Sequence, residues 1–90
     1  MKLDNEFDAE NSSKTALESF SYQLIQYRKA YRMSQRQLAR IAGTTQASIS
    51  MIERGLGNPK IDLLNDLAAA CGGELRVRIV RGPTTRRRPK

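Results

Sequence analysis

Two short apolar-periodic stretches flank a single glycine in the middle of this chain. That arrangement limits the possible folds more than any other feature. Ser34 is followed three residues later by Gln37, the pattern of a capping box, in which side chain and backbone satisfy each other's donors. A short helix is predicted from Gln35 to Ala42, burying Leu38, Ala39 and either Ile41 or Ala42. Gly43 ends it, because glycine tolerates the left-handed turn. Thr45 can cap a second short helix, with Ile49 and Ile52 facing inward among polar neighbours and Gly55 and Gly57 closing it. Ala39 is small where the two helices would cross.

The flanking segments read as further helices. From residue 14 to Arg32 the apolar residues Leu17, Phe20, Leu24, Tyr27 and Tyr31 recur at three- and four-residue steps, one face of an amphipathic helix that Met33-Ser34 breaks. Asn58-Pro59 is a turn, and Ile61, Leu64, Leu67, Ala68 and Cys71 give another helical stripe. After Gly72-Gly73 the period changes to two. Leu75, Val77 and Ile79 alternate with Arg76, Arg78 and Val80, a strand pattern with one apolar face. A lone strand leaves its ladder hydrogen bonds unmade, so this segment is expected to pair with its own copy in a second subunit. The chain therefore divides into a disordered acidic arm (1–13), a helical domain (14–73), a dimerisation strand (74–80) and a basic flexible tail (81–90).

Charge narrows the class of partner. The 90 residues carry 16 Lys and Arg against 9 Asp and Glu, a formal charge of +7, with no His and one Cys. Residues 1–13 are net −3 (Lys2 against Asp4, Glu6, Asp8 and Glu10), residues 14–73 net +4, and residues 74–90 net +6. The length suits one domain with a small core that dimerisation would help to stabilise. No apolar run reaches the ~20 residues of a membrane helix, and an acidic N-terminus is wrong for a secretory signal. A lone Cys excludes an intrachain disulfide and a zinc cluster, and the lack of His excludes imidazole acid–base chemistry. Asp62 and Asp66, four residues apart, are too few oxygen ligands for a hard-cation site. No nucleophile–base pair, phosphate loop or ligand cluster points to an enzyme, so neither metal nor cofactor is expected. A basic balance in a chain expected to be cytoplasmic points first to nucleic acid. A short helix propped on another, polar end leading, suits a major groove about 12 Å wide.

Residues 34–55 have a helix-turn-helix layout. The stretch from Tyr22 to Cys71 resembles the phage-repressor-like (Cro/C1, XRE) helix-turn-helix family through Gln35, Leu38, Ala39, Gly43, Gln46, Ser48-Ile49-Ser50, Ile52-Glu53-Arg54-Gly55 and Pro59. The resemblance implies an all-α, five-helix lambda-repressor-like domain, its second helix positioning and its third reading DNA. The added C-terminal strand looks like the HipB-type antitoxin layout, in which strands of two copies pair across a homodimer. Where the family often has a capping Ser or Thr, this chain has Lys60, a poor N-cap, with Asp62 compensating through the helix dipole.

With Ile49 and Ile52 inward, Gln46, Ala47, Ser50 and Met51 face outward as candidate base readers. A Gln amide can bond an adenine edge twice, and Ala47 or Met51 can pack on a thymine methyl. Gln35, Arg36, Thr44, Thr45, Ser48, Arg54 and Lys60 are candidate phosphate contacts, by backbone amide, hydroxyl or charge. Thr45 is equally a pure cap, and Arg40 is equally a solvated side chain. The resemblance makes Gln35 a brace for the reader and Arg28 with Glu53 an internal ion pair. Leu75, Val77 and Ile79 are the expected dimer contacts, and Cys71 a core residue. Arg86-Arg87-Arg88 either enter a minor groove or stay solvated.

The expected function is that of a dimeric, sequence-specific repressor of double-stranded DNA on an inverted-repeat operator, cytoplasmic and nucleoid-associated. Within that class the expectation is an antitoxin that represses its own operon and binds its toxin. The alternatives are a phage or mobile-element repressor without a toxin, or an interaction module that does not bind DNA.

Overall fold

The structure, a computed structural model, describes the backbone of residues 9–81 and the side chains from Ala16 to Arg81. Four helices follow one another along it: α1 (Ala9–Ala30), α2 (Gln35–Ala42), α3 (Gln46–Glu53) and α4 (Ile61–Ala70). Helix α1 starts inside the segment expected to be an arm, so residues 9–13 are helical. Residues 1–8 of that arm, and the tail with Arg86, Arg87 and Arg88, lie outside the described residues.

Local chemistry explains the boundaries of the central pair. Ser34 Oγ accepts from the Gln37 amide at 3.0 Å, and Gln37 Oε1 accepts from the Ser34 amide at 2.8 Å. These two bonds complete the capping box that starts α2. Gly43, at φ 75°, ends α2 in the left-handed conformation, and its amide turns back to the Ala39 and Arg40 carbonyls. Thr45 then caps α3, its hydroxyl accepting from the Ser48 amide at 3.1 Å. Lys60 occupies the N-cap of α4 without a side-chain bond, and Asp62 supplies negative charge to the first turn.

All four helices contribute to one core: Leu24 from α1, Leu38 and Ala39 from α2, Ile49 and Ile52 from α3, and Leu67 from α4 with Cys71 just past its end. Leu38, Ile49 and Leu67 are completely buried. Burying such a side chain is worth roughly 1.5–3 kcal/mol. Leu17, Phe20, Met33, Ala42, Leu63, Leu64 and Ala70 close the cluster at its margins. Helix α2 packs on α3 and α4, and α1 on α3. Of the two candidates at the end of α2, Ala42 faces the core and Ile41 is exposed.

The apolar face of α1 follows its predicted course through Leu17, Phe20 and Leu24 and departs from it only at the C-terminal end. Tyr27 and Tyr31 are exposed, while the buried side runs through Leu17, Ser21 and Leu24 to the half-buried Arg28. Ser21 is buried, with its hydroxyl between the carbonyl oxygens of Leu17 and Ile52, and so ties α1 to the last turn of α3.

Two expectations are overturned. The fifth helix is not present: past Cys71 the described residues hold no further helix. Gly72, at φ 77°, turns the chain out of helical geometry, and the β-branched alternation that follows does not favour its return. The expected dimerisation strand, Leu75 to Val80, is not present either, and no strand occurs among the described residues. Period-two alternation gives a segment one apolar side, but a strand exists only when a second backbone accepts and donates its hydrogen bonds. Nothing in the described chain lies alongside to do so. Val77 and Ile79 are 68% and 98% exposed, while Leu75 is half-buried.

Candidate nucleic-acid interface

The surface formed by the N-terminal ends of α2 and α3 gathers most of the predicted site residues. Its foundation is an ion pair between helices. Arg28 Nε donates to Glu53 Oε2 at 2.6 Å, and a second guanidinium nitrogen donates to Glu53 Oε1 at 3.0 Å. The remaining arm of Arg28 donates to the Met33 carbonyl at 2.8 Å, so one side chain holds the end of α1, the α1–α2 link and the end of α3 together. The side chains of Arg28 and Glu53 are 12% and 6% exposed, enough burial to strengthen a two-pronged pair well beyond a surface contact. The bond to Glu53 raises the Arg28 pKa further above its already high ordinary value.

Gln35 and Gln46 continue outward from this pair. Gln35 Nε2 donates to Glu53 Oε1 at 3.0 Å, and Gln46 Nε2 donates to Gln35 Oε1 at 3.1 Å. The buried charge pair thus connects through two amides to an exposed side chain in the first turn of α3. Arg28, Ser34, Gln35, Arg36 and Gln46 line a shallow depression here, where Arg36 adds positive charge and that of Arg28 is balanced by Glu53. The free amides at the start of α2 and α3 add to the positive potential.

The other predicted residues divide. Ala47 is exposed beside Gln46, and Ser50 is half-buried. Met51 is 44% exposed, its terminal methyl resting over Gly57 in the loop after α3. Thr45 spends its hydroxyl on the Ser48 amide and Ser48 Oγ. Arg36, Arg54 and Lys60 are exposed, Thr44 is half-buried, and Lys60 stands at the start of α4. Apolar periodicity does not mark Ser21 or the Met33 carbonyl as parts of this scaffold. A small polar residue one helical turn from both Leu17 and Leu24 was the available signal for Ser21.

The residues that build this surface lie within a sequence match to a known family. A helix-turn-helix family model of the XRE type matches residues 24–77, and the chain belongs to that family. Among individual relatives, a protein of Sinorhizobium fredii (strain NBRC 101917 / NGR234) carries the name "Uncharacterized HTH-type transcriptional regulator y4dL". It is 43% identical over 58 residues, which cover 64% of this chain. The chain spans only 30% of that relative's length. No helix among the described residues is long and apolar enough to cross a membrane.

Proposed function

We propose that this chain is a DNA-binding transcriptional regulator that represses by inserting the N-terminal end of α3 into the major groove. The observation that carries the proposal is the outward-facing pair Gln46 and Ala47, on a helix whose rotation is fixed by the buried Ile49 and Ile52. Family membership and the name of the S. fredii relative support the same reading. In this reading Gln46 reads a base edge, with Ala47, Ser50 and Met51 adjoining it. Gln35, Arg36, Thr44, Ser48, Arg54 and Lys60 meet the backbone, and Thr45 acts mainly as a cap.

The regulator is proposed to act as a homodimer on an inverted repeat, its two α3 helices about 34 Å apart, one turn of B-DNA. The exposed Val77 and Ile79, with Leu75, are the proposed contact between copies. Sedimentation of Val77→Asp/Ile79→Asp beside the wild type tests this, and an unchanged association state would refute it. The narrower role of a toxin-binding antitoxin loses the strand layout on which it leaned. Its remaining support is the acidic segment 1–13, chemistry that suits a basic protein partner. Co-expression with the product of the adjacent open reading frame tests it, and growth unaffected by either gene would remove it.

DNA recognition is tested by gel shift on the gene's own upstream region at several salt concentrations. Affinity should fall steeply as salt rises. Gln46→Ala should cost roughly 1–3 kcal/mol on the preferred site and little on random duplex. Equal losses on both would remove Gln46 as a reader.

A further inference from the structure

Arg32 departs from a rule that the rest of the described chain keeps. Gly43, Gly55, Gly57 and Gly72 occupy the other left-handed positions, at φ 72° to 86°. Glycine adopts that conformation freely, whereas a Cβ crowds the backbone. Arg32 nevertheless takes φ 57° just past the end of α1. Hydrogen bonds hold the turn on both sides. The Arg32 amide donates to the Lys29 carbonyl at 2.9 Å, and the Met33 amide donates to the Arg28 carbonyl at 3.0 Å. The Met33 carbonyl accepts from the Arg28 guanidinium at 2.8 Å, and Arg28 is itself anchored on α3 through Glu53. Backbone strain that the surroundings maintain in this way concentrates where a side chain is used.

The use is not internal. Arg32 is exposed, and the ion pairs among the described residues are Arg28–Glu53 and Arg76–Glu74, neither of which includes it. Between Glu18 and Glu53 the sequence has no carboxylate and five cations, Arg28, Lys29, Arg32, Arg36 and Arg40. Glu53 is already engaged by Arg28 and Gln35. Ser34, two residues beyond Arg32, lines the same depression as Gln46, and two residues of chain span at most about 7 Å. Arg32 therefore brings an unbalanced charge to the edge of the candidate interface, from a backbone that is already fixed.

We propose that Arg32 is a further DNA contact, a phosphate clamp on the α1–α2 link, separate from the base-reading surface of α3. The proposal rests on the DNA-binding reading above. A guanidinium meets two phosphate oxygens with paired N–H donors. Such a contact positions the protein without reading sequence, so it strengthens binding to every duplex alike. Its fixed backbone root leaves less to be ordered on binding. Glycine at this position would make a more stable protein and a weaker binder.

The test compares the full-length wild type with Arg32→Gly, Arg32→Asn, Arg32→Lys and, as a charge control, Arg40→Gln in the last turn of α2. Affinity is followed against salt on random duplex and on a preferred site selected from randomised duplexes. Arg32→Gly should melt at a higher temperature than the wild type. It should nevertheless bind both duplexes roughly three- to tenfold more weakly at moderate salt, with the salt slope reduced by about 1 per bound protomer. Asparagine also tolerates the left-handed region, so Arg32→Asn should lose the same affinity without the freedom of glycine. Arg32→Lys should keep most of the slope, and Arg40→Gln should leave it near that of the wild type.

Ethylation of single phosphates locates the contact. At least one phosphate whose ethylation impedes the wild type should become indifferent in Arg32→Gly. An unchanged slope and ethylation pattern in Arg32→Gly and Arg32→Asn would overturn the clamp while leaving α3 as the reader. A slope lowered as much by Arg40→Gln would reduce the effect to net charge and overturn it as well. A wild type that bound neither duplex would remove the DNA-binding reading and the clamp together.

Discussion

Arg32 follows the end of α1 at φ 57°, the one residue other than glycine in the left-handed region among those described. A Cβ there meets the backbone, and glycine removes that cost at a helix end. Arg32→Gly should therefore raise stability by about 1 kcal/mol, read from urea denaturation. A loss of stability would mean that the Arg32 side chain contributes more than its backbone costs. Cys71 gives a second prediction at this scale. It is 3% exposed, and burial pushes its thiol above the ordinary value of about 9, outweighing the pull of the Arg28 charge. With the folded pKa above the unfolded one, the contribution is present below the unfolded pKa and fades as pH rises through the folded value. The stability advantage of the wild type over Cys71→Ala should shrink as pH rises above about 9. Thermal melts of both proteins from neutral to alkaline pH check this, and a constant difference would contradict it.

Between elements, the Arg28–Glu53 pair decides how α1 meets α3. Removing one partner strands a buried charge and costs about 3 kcal/mol or more, whereas replacing both with apolar groups of similar size is far milder. Arg28→Met should destabilise strongly, and Arg28→Met/Glu53→Leu should recover most of the loss in a double-mutant cycle. Losses that simply add would show that the two side chains act independently.

Over the whole molecule, stability leans on the core, where the side chains of Leu38, Ile49 and Leu67 are completely buried among the described residues. Leu67 lies on α4, packed against α2. Leu67→Ala should cost about 2–5 kcal/mol, a large share of what a chain this size retains. Denaturation near the wild-type midpoint would show that the cluster collapses around the gap. The same loss should abolish DNA binding, because the rotation of α3 depends on the packing of Ile49 and Ile52 in that core.

Features decided within a few residues were legible in the sequence. The box at Ser34 and Gln37, the turn at Gly43, the cap at Thr45 and the inward Ile49 and Ile52 all follow from groups three or four residues apart, and so does the placement of Gln46 on the outer face of α3. The face that α1 buries was legible through Leu17, Phe20 and Leu24 but not at its C-terminal end. Residues 27 and 28 are both near one turn beyond Leu24, and Glu53, 25 residues away, selects Arg28. Nor was the state of residues 75–80, because a strand is a property of two backbones and alternation describes only one. The linking of Gln35 to Glu53 was likewise settled in three dimensions. Helix periodicity states which way a side chain points, and only packing states what it meets there.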